Sequence, residues 1–264
     1  MKKKIYFVLG LLLATSCLFA ATKKKETKKA ASGSIVISAA ASLTDAMNEI
    51  IVLYNKTDPS LTITPVYGAS GTLRAQIEQG APADIFFSAA ESHMKKLADK
   101  GLVMDGTLSR LLKNEVVLIV PKDGKSTVTS FDSLTSDSVR HIAIGEPESV
   151  PAGTYAKETL TKLGTWDALS AAGKLVYSKD VRQVLTYVEQ GEAEAGLVYS
   201  TDAAVSNKVT IVCNAPEGSH TPVIYPVAVL KATQNEKGAK AFYTFLTGKE
   251  ALAVFAKYGF LAAQ

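Results

Sequence analysis

The sequence predicts an α/β chain: two successive sets of strands and helices, joined by two crossing strands around a cleft. Three observations carry that expectation. From Ser34 onward, short runs rich in β-branched residues alternate with amphipathic stretches. A second such series starts after the apolar run Val116–Val120, which ends at Pro121. After the second series comes Pro222–Leu230, strand-like but carrying two prolines, and then two more helical stretches.

Each element follows from its residues. Ile35, Val36 and Ile37 form the first strand. Ala39, Ala40 and Ala41 let the backbone lie close to something, and Ser42 or Thr44 is expected to cap a helix with Asp45 in its first turn. Leu43, Met47, Ile50, Ile51 and Tyr54 fall on one helical face. Leu61–Tyr67 alternates as a second strand, and Gly68–Thr72 leads into a helix over Leu73–Gln79. Ala81–Ser88 is expected as a third strand, followed by a helix from Glu91 to Gly101; this order implies a parallel sheet. In the second set, His141–Gly145, Ala195–Tyr199 and Val209–Cys213 read as strands. Helices are expected to open at Pro151 and at Asp180, the latter stopped by Gly191. Proline confines Pro222–Leu230 to an edge or a crossover. Helices over Glu236–Leu246 and Lys249–Tyr258 close the chain and are expected to return to the first set. Lobe I is thus assigned to residues 34–115 plus 223–264 and lobe II to 116–222, with crossings near Val116–Val120 and Tyr225–Leu230 acting as a double hinge.

The 264 residues are 47% hydrophobic and 20% charged, which fits a soluble globular protein. The formal charge of +4 misleads. Residues 1–29 hold eight lysines and one glutamate, and the remainder nets −3, so nothing in the folded part suggests nucleic-acid binding. Residues 1–21, a lysine cluster followed by an apolar run, have the form of an export signal. Two processing readings compete: cleavage near Ala20 or Ala21, or a lipoprotein signal ending before Cys17, with the cysteine lipidated. Cys17 otherwise has no role, and residues 22–33 read as a Lys-rich tether; both favour the anchor. The expected location is therefore periplasmic or cell-surface. The other cysteine, Cys213, has no internal partner in this reading and is expected to pack as a small hydrophobe.

Ligands of open α/β sheets collect at the carboxyl ends of the strands. The sequence places Ser42 and Ser70 there from the first set, and from the second the turn around Ala152, the helix start at Val181, and Tyr199. Hydroxyls and helix-terminal amides are donors, and none of these five side chains is charged. Such a cleft suits a small, fully ionised oxyanion. Singly, each has a plainer reading: Ser42 and Ser70 as caps, Tyr199 as core or rim.

Several strings together resemble the molybdate-binding proteins of ABC uptake transporters. They are Ala39–Met47 (AAASLTDAM), Gly80–Asp84 (GAPAD), Pro147–Lys157, Asp180–Arg182, Gly196–Ala203, Tyr225–Val229 and Tyr258–Phe260. The resemblance runs from about Ser34 to the C-terminus. It implies a two-lobed type II periplasmic-binding-protein fold with two interlobe crossovers. It also implies an anion held by Ser42, Ser70, Ala152, Val181 and Tyr199, the molybdenum being bound only as its oxyanion, with no direct metal ligand. Where the family often has a further serine this chain has Gly71, which leaves a backbone donor there. The implied partners are molybdate or tungstate and a membrane permease; a monomer without a resident cofactor is expected.

Selectivity then has a physical account. A site without a carboxylate acceptor disfavours monohydrogen phosphate, whose proton would go unpaired at a cost of about 1–3 kcal/mol. A rigid cavity sized for molybdate stretches the hydrogen bonds of the smaller sulfate. Sulfate, phosphate or another small oxyanion is the alternative ligand. An enzyme is not expected. There is no Gly-x-Ser-x-Gly elbow and no phosphate-cradling Gly-x-x-x-x-Gly-Lys. His93, His141 and His220 fall in no triad or metal spacing and read as surface or satisfied core residues, and Asp180 with Arg182 reads as a helix-start charge pair.

Overall fold

The computed structural model describes residues 32–122 and 126–263. The expected export signal, Cys17 and the tether as far as residue 31 lie outside the described residues.

The chain forms two mixed sheets with helices packed on them. The first series is β1 (Gly33–Ala40), a 3-10 turn, α1 (Thr44–Thr57), β2 (Leu61–Gly68), α2 (Ser70–Glu78), β3 (Ile85–Phe87), α3 (Glu91–Asp99) and β4 (Ser109–Asn114). The second series is β5 (Val116–Pro121), β6 (Ile142–Gly145), α4 (Pro151–Lys162), α5 (Trp166–Ala171), β7 (Leu175–Ser178), α6 (Val181–Glu189), β8 (Ala195–Tyr199), α7 (Ser200–Ala204) and β9 (Val209–Asn214). The chain ends with β10 (Val223–Val229), α8 (Glu236–Leu246), α9 (Lys249–Lys257) and β11 (Leu261–Ala262).

The first sheet has the order β11-β4-β10-β3-β1-β2 and the second β7-β6-β8-β5-β9. β1 is parallel to β2 and β3, as expected, but β10 runs antiparallel to both β3 and β4. In the second sheet β6 is parallel to β7 and β8, while β5 is antiparallel to β8 and β9. The backbone passes between sheets twice, at Glu115 between β4 and β5, and over residues 215–222 between β9 and β10. Both passages precede the strands in which the sequence suggested them, since β5 and β10 each pair within a single sheet.

The proline-bearing strand corrects the expectation of an edge. β10 lies inside the first sheet, with all seven residues buried. Proline is tolerated there because its register with β4 shifts between Tyr225 and Pro226, where a bulge removes the need for the missing N–H. The expected third strand is reduced to Ile85–Phe87. β4, β7, β11, α5 and α7 had no distinct sequence signal; Ser109–Asn114, for example, holds no β-branched residue and extends because it pairs with β10.

The amphipathic face of α1 is buried as its spacing required, with Met47 and Ile50 at 0% exposure. Each such side chain contributes about 1.5–3 kcal/mol. Helices α8 and α9 pack on the first sheet and α1. Tyr54 meets Phe242 edge-on at 5.1 Å, and Phe87 meets Phe255 at 5.8 Å. Cys213 is free and packs, half-buried, against the core.

Candidate functional site

The carboxyl ends of β1, β2, β6 and β8 converge on one small cavity of about 10 Å³ between the two sheets. That is below the range of about 300–1,000 Å³ typical of organic-ligand sites, so the space suits a small ion. All five sequence-predicted residues line it: Ser42, Ser70, Ala152, Val181 and Tyr199.

Ser42 sits in the 3-10 turn after β1, buried, with its hydroxyl 2.9 Å from the Tyr225 hydroxyl. It does not cap α1, which has no side-chain cap; Thr44 also fails to, because its hydroxyl donates to the carbonyl of Ala41 at 2.6 Å. Ser70 is the first residue of α2, not part of a preceding turn. Its Oγ accepts the Ala89 amide at 2.9 Å, which leaves the hydroxyl proton to point elsewhere.

The second lobe supplies backbone donors. Ala152 and Val181 stand in the first turns of α4 and α6, where helical geometry offers their N–H groups no acceptor. No acceptor among the described residues takes them up. Two glycines place the first of these amides. A Cβ on Gly153 would lie 2.0 Å from the Gly145 carbonyl oxygen, so only glycine lets α4 settle onto the end of β6. Val181 follows Asp180, whose carboxylate accepts the Gln183 amide at 2.9 Å and caps α6. Asp180, which the sequence reading put beside the cleft, also lines the cavity, so the expectation of a site without a carboxylate is corrected, although one of its oxygens is committed to that cap.

Tyr199 is fully buried, and its hydroxyl has no hydrogen-bond partner among the described residues. Burial raises its pKa well above the ordinary tyrosine value, so it is a neutral donor. A buried hydroxyl without a partner costs about 1–3 kcal/mol, and here it borders the cavity. Behind Ser42, a polar network reaches the first crossing. The Asn114 amide donates to Thr201 Oγ1 at 2.8 Å and to the Tyr225 hydroxyl at 3.2 Å, and accepts from Ser200 at 3.0 Å. Asn114 was not singled out from the sequence. Its position as the last residue before the crossing was the only signal.

The lobes touch. The Gly71 amide donates to the Ser149 carbonyl at 2.9 Å, so this backbone donor is engaged across the cleft and not available to a ligand. A Cβ at Gly71 would lie 2.6 Å from that same oxygen, which explains glycine here.

Arg182 corrects another expectation. It does not pair with Asp180. Its Nε donates to Asp202 at 2.6 Å, and its Nη1 lies 2.7 Å from Asp45 of α1. Burial works against the guanidinium charge, but the two carboxylates hold its pKa above the ordinary value. Asp202 is fully buried, and that burial raises its pKa to about 6 against the opposing pull of Arg182. The arginine charge is therefore consumed by carboxylates and is not left for the cavity.

Ser42 and Ser70 face a tyrosine and an amide, not a general base. Among the described residues no cluster of three or more His, Cys, Asp or Glu could hold a metal. His141 is exposed, and the half-buried His220 meets the Thr221 carbonyl at 2.6 Å. His93 is not satisfied: it is buried, its Nδ1 has no partner among the described residues, and burial lowers its pKa to about 4.

Comparison with known proteins shows the family and agrees with the fold. A family described as bacterial extracellular solute-binding protein matches residues 35–261. The putative ABC transporter substrate-binding lipoprotein YvgL of Bacillus subtilis is 53% identical over 225 residues, 85% of each chain. The molybdate-binding protein ModA of Escherichia coli is 43% identical over 226 residues, 84% of this chain and 86% of that one. The solved periplasmic molybdate-binding protein of Azotobacter vinelandii superposes with a TM-score of 0.80 at 25% identity, covering 87% of this chain and 100% of that one.

Proposed function

The chain belongs to the bacterial extracellular solute-binding protein family, and from that premise we propose that it captures molybdate between its two lobes and delivers it to a membrane permease of an ABC transporter. The observation that carries this reading is a small interlobe cavity that gathers five neutral donors, the hydroxyls of Ser42, Ser70 and Tyr199 and the helix-terminal amides of Ala152 and Val181, with one carboxylate in its wall, Asp180, tied at one oxygen to the α6 cap. A tetrahedral dianion without a proton matches such a donor set. The names of the relatives from Escherichia coli and Azotobacter vinelandii point to the same ligand. Tungstate, nearly the same in size, is bound as well in this reading, and no cofactor enters it.

Capture works through differential affinity. Ser42 and Ser70 belong to one lobe and Ala152, Val181 and Tyr199 to the other, so only the closed form offers the anion all five contacts. The closed form, as a monomer, is the species presented to the permease. The protein acts outside the cytoplasm, held at the membrane through a lipid on Cys17; the description of the Bacillus subtilis relative as a lipoprotein supports the anchor.

Calorimetric titration of the anion-stripped protein tests the reading. Tight one-to-one binding of molybdate and tungstate, with weak response to sulfate and phosphate, is the expected result. Preferential sulfate binding overturns the size argument, and no response to any of the four overturns the site.

A further inference from the structure

Arg182 bridges the lobes beside the cavity without lining it. It sits in α6 of the second lobe, next to Val181. Its Nη1 lies 2.7 Å from Asp45 Oδ2 in α1 of the first lobe, and its Nη2 donates to the backbone carbonyl of Ser42 at 3.3 Å. Asp202, buried three residues after Tyr199, fixes the other side of the guanidinium at 2.6 Å. One arginine thus joins the chain segments that carry Ser42, Val181 and Tyr199. We propose that Arg182 is a positioning residue and a closure clasp: its ion pair with Asp45 forms when the lobes close and must break before the anion leaves. This rests on the anion-capture reading above and concerns how the site is held shut.

The two halves of the triad have different roles. The Arg182 side chain is 25% exposed and that of Asp202 0%, so this pair stays within the second lobe and orients the fork. The Asp45 side chain is 41% exposed, though its Oδ2 facing Arg182 is buried, and it belongs to the opposite lobe, so opening the cleft returns that oxygen to water. The cross-lobe contact is therefore reversible, while the internal pair is not. Two carboxylates against one guanidinium also leave no free positive charge, so loss of the clasp should alter release far more than capture.

Asp45→Asn tests the proposal, because it removes the cross-lobe charge and leaves Asp202 paired; Arg182→Gln would strand a buried carboxylate and risk the fold. Release of radiolabelled molybdate is followed after a chase of unlabelled molybdate, and association is measured separately. The expected result is release about tenfold faster with association changed less than twofold. In the wild type, added salt should speed release by screening the pair, and in Asp45→Asn that dependence should largely vanish. Asp45→Glu, which keeps the charge, should restore much of the slow release. An unchanged release rate, or equal loss in both rates, overturns the clasp. If the wild type binds no molybdate, the capture reading fails, and hydrogen exchange of the ligand-free protein decides the clasp alone. Asp45→Asn must then speed amide exchange at residues 41–45 and 180–184, and equal exchange overturns it.

Discussion

Gly71→Ala separates closure from folding. The Gly71 amide donates to the Ser149 carbonyl across the cleft at 2.9 Å. An added Cβ would stand 2.6 Å from that oxygen, 2.8 Å from the Ser149 Cα and 2.9 Å from the His93 ring. Ordinary contact begins at 3.4 Å, so the lobes must part by about 0.8 Å at this point. Such a shift takes the hydrogen bond out of range. Its loss costs about 0.5–1.5 kcal/mol, and residual crowding about 1 kcal/mol or more. The part of this cost that comes from Ser149, about 2 kcal/mol, falls on the closed state alone and corresponds to roughly 30-fold weaker molybdate binding, whereas the His93 contact lies within the first lobe and must be relieved by a shift of the ring in either state. The open lobe feels the opposite sign, because alanine is a better helix former than glycine by up to about 1 kcal/mol, and Gly71 lies in α2. Calorimetry should therefore show the weaker affinity while the melting temperature of the ligand-free protein holds or rises. Affinity within threefold of wild type refutes the steric reasoning. Parallel losses of affinity and ligand-free stability refute the assignment to closure.

Other perturbations follow from the same geometry. Replacing Ser42 and Ser70 together by alanine should abolish tight molybdate binding with the circular dichroism spectrum unchanged; retained affinity removes both from the site. Tyr199→Phe deletes a buried hydroxyl that has no protein partner, so urea denaturation should show equal or greater ligand-free stability while molybdate binding weakens by about tenfold. His93 gives a pH signature. Its folded pKa of about 4 lies below the ordinary 6.5 because of burial, aided by the charges of Lys96 and Arg74. Above pH 6.5 the ring is neutral folded or unfolded and its stability contribution is whole. Between pH 6.5 and 4 only the unfolded chain takes the proton, so stability falls with pH by up to about 1.4 kcal/mol per unit, and below 4 the loss levels off. Asp202, with its pKa raised to about 6 by burial, acts in the opposite sense, since from pH 6 downward the folded state takes its proton first. His93→Gln should therefore remove a loss of up to about 2 kcal/mol between pH 7 and pH 5, read as the difference in urea midpoints between variant and wild type.

What the sequence determined by itself was whatever depends on neighbours in the chain. The β-branched run at Ile35–Ile37, the one-sided spacing of Met47, Ile50 and Tyr54, and the stops at Gly101 and Gly191 are local signals, and the elements formed there. Strand-end positions are local too, so Ser42, Ser70, Ala152, Val181 and Tyr199 could each be named as cavity-facing before any coordinates existed, and all five line one space. The tertiary structure decided what depends on distant partners. β4 is a strand because β10 lies beside it, and β10 is central because a bulge at Pro226 excuses the missing N–H. Ser42 meets Tyr225 instead of capping its own helix, across 183 residues of chain. Arg182 chose Asp45 and Asp202 over the nearby Asp180, whose carboxylate was already taken by the first turn of α6. Periodicity and capping report the energetics of a few consecutive residues. Which polar group satisfies which, and whether two lobes meet at a glycine, depends on surfaces that exist only once both sheets are assembled.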